Sequence, residues 1–131
     1  MTMKTILLIE DDADLLKSLA EILRRFGYDV VAKSDAESAL AHIRGGAAID
    51  LVVTDDRMPG MHGSEFVTVF RKAKPAVPVI MLTGYGGVES YLRSISNGVF
   101  EYINKPVLAI ELQRIVQAAL AWSADNRPAA P

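Results

Sequence analysis

The sequence predicts an α/β domain: a doubly wound, parallel five-stranded sheet of (βα)5 type with strands in the order 2-1-3-4-5. Three observations carry this expectation. Short apolar runs alternate five times with stretches whose apolar residues recur at helical spacing, a pattern that packs as a parallel sheet with helices on both faces. Ile6-Leu7-Leu8-Ile9, Leu51-Val52-Val53 and Val79-Ile80-Met81-Leu82 are unbroken, like strands buried on both sides, whereas Asp29-Val30-Val31-Ala32-Lys33 and Phe100-Glu101-Tyr102-Ile103-Asn104 carry polar residues, like edges. With those edges, right-handed crossovers favour 2-1-3-4-5. Finally, four runs end in polar groups: Glu10-Asp11-Asp12, Thr54-Asp55-Asp56, Thr83, and Asn104-Lys105-Pro106.

The elements follow in order. After Ile9, Asp12 is placed to cap a helix carrying Leu15, Leu19, Ile22, Leu23 and Phe26, and Gly27 stops it. Tyr28 to Ala32 reads as the second strand. Ala36, Ala39, Leu40 and Ile43 form the second helical stripe, ended by Gly45-Gly46. Leu51 to Thr54 is the third strand. Gly63 to Lys74 carries Phe66, Val67 and Phe70 on one face, and Pro75 breaks it. Val79 to Leu82 is the fourth strand. Val88, Leu92, Ile95 and Val99 repeat at helical spacing, with Gly98 near the end. Phe100 to Asn104 is the fifth strand, and Leu108, Leu112, Ile115, Val116 and Ala119 mark the last helix. Residues 1–122 are expected to form one domain, with 123–131 a tail or the start of a linker.

Composition narrows the function classes. The chain has 131 residues, half of them hydrophobic, enough for one core. Its formal charge is −2, without the basic balance of a free-standing nucleic-acid binder. Arg71-Lys72-Ala73-Lys74 reads as a solvated helix end, where cations suit the dipole. There are no cysteines, which excludes disulfides and thiolate metal sites and fits the cytoplasm. No apolar run reaches the ~20 residues of a membrane span.

In a 2-1-3-4-5 sheet the topological switch point lies between strands 1 and 3, and ligands bind beyond the carboxyl ends there. Glu10, Asp11 and Asp55 lie at those ends. Desolvating such charges is costly unless something pairs with them. Three close carboxylates repel, so without a metal at least one pKa should rise. Mg²⁺ prefers octahedral oxygen ligands, including one or two carboxylates, and suits this set. With Thr83 and Lys105 nearby, the chemistry is that of a Mg²⁺ and phosphoryl site.

Glu10-Asp11, Asp55 followed by Met58-Pro59-Gly60-Met61-His62-Gly63, Thr83, Tyr102 and Lys105-Pro106 resemble the receiver domain of two-component response regulators. The resemblance runs from about Lys4 to Leu120, and implies the flavodoxin-like receiver fold. It implies that Asp55 is the phosphoacceptor, taking a phosphoryl group from a histidine kinase or phosphotransfer protein. Asp11 would ligate Mg²⁺ directly, Glu10 mainly through water, and Arg57 through its backbone carbonyl. Thr83 would hydrogen-bond a phosphoryl oxygen, Lys105 would pair with the phosphoryl group or the aspartate, Tyr102 would change rotamer on activation, and Lys105-Pro106 would be cis. The output face would be the fourth helix, fifth strand and fifth helix, with Tyr91, Ser94, Asn97, Glu101 and Gln113 as exposed candidates. It would engage an output domain, a downstream protein or, on phosphorylation, a second copy; neither nucleic acid nor membrane is a direct partner. Thr83-Gly84-Tyr85-Gly86-Gly87-Val88-Glu89 resembles the receivers of enhancer-binding activators. The sequence departs from the family at His62, where Asp is usual. Large residues at Arg57 and Tyr85 imply restricted water attack and a long-lived phosphoryl group.

Taken singly, these residues have plainer readings. Asp12 and Asp56 are capping or loop residues, Lys105 a surface lysine, Tyr102 an edge-strand aromatic, and Trp122 a cover for the last helix. Gly84-Tyr85-Gly86-Gly87 lacks the Gly-Lys pattern of a phosphate cradle, and His42 and His62 are too isolated for zinc. A Mg²⁺-dependent phosphohydrolase would want an acid two residues past Asp55, where Arg57 stands. A degenerate, phosphorylation-independent domain would not keep all five site positions. The chain is therefore expected not to be an enzyme beyond its own aspartyl phosphorylation and dephosphorylation.

Overall fold

A computed structural model describes residues 3–84 and 98–126. Strands β1 (Thr5–Ile9), β2 (Asp29–Lys33), β3 (Leu51–Asp55), β4 (Val79–Thr83) and β5 (Glu101–Asn104) form one parallel sheet in the order β2-β1-β3-β4-β5. The described helices are α1 (Ala13–Arg25), α2 (Ala36–Arg44), α3 (Gly63–Ala73) and α4 (Ala109–Asn126). The helix expected around Val88, Leu92 and Ile95 lies outside the described residues, as do Tyr85, Tyr91, Ser94 and Asn97.

The period-2 alternation of each strand splits the core into two layers. Ile6 and Leu8 of β1, Leu51 and Val53 of β3, Ile80 and Leu82 of β4, and Ile103 of β5 face one way. There they meet Leu19 and Leu23 of α1 and Leu112, Val116 and Ala119 of α4. Leu7, Ile9, Val52, Val79 and Met81 face the other way, against Leu40 and Ile43 of α2 and Phe66 and Phe70 of α3. The Phe66 and Phe70 rings stack with centroids 5.6 Å apart. β1, β3 and β4 are buried almost throughout, and β2 and β5 are the partly exposed edges that their polar residues predict.

Helix ends follow local chemistry. The Asp12 carboxylate accepts from Leu15 N at 3.1 Å and caps α1; Asp35 accepts from Ser38 N at 2.7 Å and caps α2. Gly27 leaves α1 with φ +95°, which a side chain would oppose. Strand limits differ from the expected ones by a residue, the ordinary uncertainty of an element's end. The last helix shows a larger difference. It passes the boundary expected at residue 122 and reaches Asn126, because Ser123 is buried and its hydroxyl donates to Ala76 O at 3.4 Å. Ser123 is polar, so its burial leaves no hydrophobic mark in the sequence.

Candidate functional site

Four chain segments converge at the carboxyl ends of β1, β3, β4 and β5. The sheet ladder continues one residue past the strands and sets their ends side by side. Glu10 N donates to Lys33 O at 3.1 Å, Asp56 N to Leu82 O at 2.9 Å, and Lys105 N to Thr83 O at 2.6 Å. Carboxylate oxygens of Glu10, Asp11 and Asp55 then lie within 4.8 Å of one another. Glu10 is fully buried, Asp55 is 5% exposed and Asp11 is exposed.

Lys105 answers these charges. Its Nζ lies 2.9 Å from Glu10 Oε1 and 3.2 Å from Asp55 Oδ2, and the Lys105–Pro106 peptide is cis, as the resemblance implies. One ammonium cannot balance three carboxylates. Burial, and then the Asp55 carboxylate beside it, push the Glu10 carboxyl up to about 7, against the opposing pull of Lys105. A rise is expected from carboxylate repulsion, but burial is its larger cause and the neighbouring Asp55 the smaller. Burial alone would lower the Lys105 pKa, but the hydrogen bond to Glu10 and the charge of Asp55 outweigh it and raise it.

The residues fit a divalent cation. Glu10 Oε2 is buried with no hydrogen-bond partner among the described residues, and an acceptor in that state needs a proton, a water or a cation. The donor set is all oxygen, which suits Mg²⁺ rather than a soft metal. Arg57 lies two residues past Asp55, in the loop leading to α3.

Thr83 ends β4 and is buried, with its backbone carbonyl tied to Lys105 N. Tyr102 is half-buried among the residues on the α2–α3 side of the sheet. The register pairs Met81 with Tyr102 and Thr83 with Asn104, so Thr83 and Tyr102 project on the same face, one step apart. Glu101 is exposed, and its carboxylate accepts from Tyr102 N at 3.0 Å. Gln113 is half-buried rather than exposed, on a helix whose neighbours Leu112, Ile115 and Val116 all pack inward. Asp12 and Asp56 stay out of the carboxylate cluster, Asp12 as a cap.

Two features escape sequence reasoning. One is the pairing of Lys105 with Glu10, across 95 positions of chain. The other is the packing of Gly63 against the end of β3. A Cβ at Gly63 would collide with the Asp55 carbonyl oxygen and lie 3.0 Å from Asp56 Cα. Gly63 begins α3, where the chain reads as an ordinary helix entry; only the closeness of Asp55 demands a glycine.

Comparison with known proteins agrees with this geometry. A family model described as the response regulator receiver domain matches residues 6–117. Response regulator protein FleR of Pseudomonas aeruginosa is 35% identical over 111 residues, covering 85% of this chain and 23% of FleR. Transcriptional regulatory protein GlrR of Escherichia coli is 37% identical over 120 residues, covering 91% of this chain and 27% of GlrR. The chain thus spans about a quarter of the length of these two relatives. The crystal structure of a CheY-like receiver domain protein from Methanospirillum hungatei JF-1 matches with a TM-score of 0.90 at 31% identity, covering 95% of this chain and 98% of that one.

Proposed function

The chain belongs to the receiver domain family of two-component response regulators, and from that premise we propose that Asp55 accepts a phosphoryl group from the phosphohistidine of a sensor histidine kinase or phosphotransfer protein. The observation that supports this most is the placement of Asp55. Its Oδ2 lies 3.2 Å from Lys105 Nζ, at the sheet's switch point, beside two further carboxylates. In the transfer, an Asp55 oxygen attacks phosphorus, the O–P bond forms and the N–P bond to the imidazole breaks. The bonding pair stays on that ring nitrogen, and a proton from solvent keeps the departing imidazole neutral. A carboxylate nucleophile needs no base, so positioning and charge stabilisation do most of the work. Lys105 places a positive charge where the phosphoryl oxygens gather. A Mg²⁺ ion held by Glu10, Asp11, Asp55 and the Arg57 backbone carbonyl would offset the repulsion between two anions.

The family is not one of enzymes in the usual sense; the chemistry proposed is confined to making and losing the aspartyl phosphate. The product adds about −1.5 to −2 charge, by analogy with other phosphorylated residues. Thr83 turns its hydroxyl toward the new oxygens, and Tyr102, on the same face, fills the space it leaves. Phosphorylation biases this two-state shift by its differential interaction energy. The shift is read out at β5 and α4, where a groove of about 490 Å³ runs past Tyr102, Lys105, Leu108 and Arg114. An output domain, a downstream protein or a second copy engages that face. GlrR and other relatives are transcriptional regulatory proteins, which supports control of transcription through an enhancer-binding type of output. A phosphoryl group supplied by a histidine kinase would suit a cytoplasmic setting. No described helix is long and apolar enough to cross a membrane.

The test is intact mass after incubation with Mg²⁺ and acetyl phosphate, beside Asp55→Asn. One added phosphoryl group, lost in the variant and without metal, is expected. No adduct, together with no Mg²⁺-dependent response to beryllofluoride, would overturn the reading.

A further inference from the structure

At the opposite end of the sheet from the carboxylates lies a second groove of about 360 Å³. It opens between the end of α3, the turns entering β4 and β5, and the last turns of α4, and is lined by Arg71, Pro78, Gly98, Val99, Phe100 and Trp122. Arg71 is half-buried, and among the described residues it makes no hydrogen bond or ion pair. Its guanidinium lies across Gly98, where a Cβ would meet Nε at 3.1 Å and Cζ at 3.3 Å. On the other wall the Phe100 and Trp122 rings meet at 53° with centroids 5.7 Å apart, and Trp122 is 37% exposed.

The α3 dipole accounts for cations at this helix end. It does not account for a guanidinium turned across bare backbone, in a groove with two aromatic rings, with no acceptor among the described residues. A partly desolvated charge gains when a carboxylate completes its fork of donors. Lys72 and Lys74 add positive charge alongside. The complement is therefore an acidic group adjoining an apolar or aromatic one. A free small ligand needs most of its surface covered, about 70–90%. Walls as open as Trp122 and Arg71 do not give that cover, whereas a peptide can seat two side chains and stay exposed elsewhere. Tryptophan and arginine are also the commonest anchors of protein interfaces.

We propose that this groove docks an acidic, aromatic-bearing segment of a partner protein, with its carboxylate on Arg71 and its apolar side chain against Trp122. The groove is remote from the phosphoryl site, so the proposal stands apart from the reading of Asp55. Trp122 is the only tryptophan, so its emission reports this place alone. The intact chain is titrated with the blocked peptide acetyl-Glu-Glu-Phe-Glu-amide, with its all-Gln counterpart, and with phenylacetate. A saturable response to the acidic peptide is expected. It should weaken at least about tenfold in Arg71→Gln and fall as salt rises from about 50 to 500 mM. Arg71→Lys, which keeps the charge but loses the fork, should fall between. Folding of the variants is checked by cooperative thermal unfolding followed by circular dichroism. Should Arg71→Gln not fold, the contrast between acidic and Gln peptides on the unaltered chain decides. An equal response to both peptides, or none to either, refutes the proposal. A stronger response to phenylacetate than to the peptide also overturns it, in favour of a small-molecule ligand.

Discussion

Replacing Glu10 with Gln should remove most of the pH dependence of stability in the metal-free protein. The folded chain holds the Glu10 proton to about pH 7, because burial and Asp55 both disfavour the second negative charge. The ordinary value is 4.5. Between those two values the native state binds more protons than the unfolded state, so stability falls as pH rises. The contribution is fully present below pH 4.5 and is lost as pH rises through 7. At about 1.36 kcal/mol per pK unit, the linkage relation gives a loss of about 2 kcal/mol between pH 5.5 and 8. For a domain of this size that is a fall of roughly 5–10 °C in Tm. Glu10→Gln keeps an acceptor for Lys105 Nζ, now 2.9 Å from Glu10 Oε1, but carries no charge to desolvate. Thermal unfolding in EDTA, at several pH values, should therefore show a steep curve for the unaltered chain and a flatter one for the variant. Adding Mg²⁺ at pH 8 should restore stability in the unaltered chain and do less in Glu10→Gln. Equal slopes in the two proteins, or stability that rises toward pH 8, would falsify the account of Glu10.

Three further outcomes are expected. Gly63→Ala forces a Cβ against the Asp55 carbonyl, so it should cost about 1–3 kcal/mol and slow phosphorylation; an unchanged Tm and rate would show that the β3–α3 junction yields freely. Lys105→Met leaves Glu10 and Asp55 facing each other without their cation, so the rate with acetyl phosphate should fall at least about tenfold while Mg²⁺ still binds; a normal rate removes Lys105 from the transfer step. The phosphoryl group should be long-lived, and Arg57→Ala should shorten its half-life in a chase after the donor is removed; rapid loss from the unaltered chain contradicts the shielding attributed to Arg57 and Tyr85.

Strand identity, sheet order and the gathering of Glu10, Asp11 and Asp55 were legible in the sequence, because burial leaves its mark residue by residue. Leu51-Val52-Val53 could only be central, Asp29 and Lys33 could only belong to an edge, and a polar residue ending a buried strand must lie at the sheet's rim. The capping of α1 by Asp12 was equally local, since its hydrogen bond spans three residues. Other features depend on which distant groups meet, and periodicity does not encode that. Lys105 could have served Asp55 alone; in the fold it is shared with Glu10, whose carboxyl burial and Asp55 still push up to about 7 against the pull of Lys105. Gly63 reads as a weak helix start until the Asp55 carbonyl is set against it. The expected domain boundary is residue 122, whereas the last helix runs on to Asn126, with Ser123 buried and donating to Ala76 O. Arg71 read as one more solvated cation, and only the turn at Gly98 laid it across a groove walled by Phe100 and Trp122. Composition and period dictate which surfaces a chain must bury and which ends stay polar. The choice of partner for each charge, and the space each glycine leaves, arise only when segments far apart in sequence are packed together.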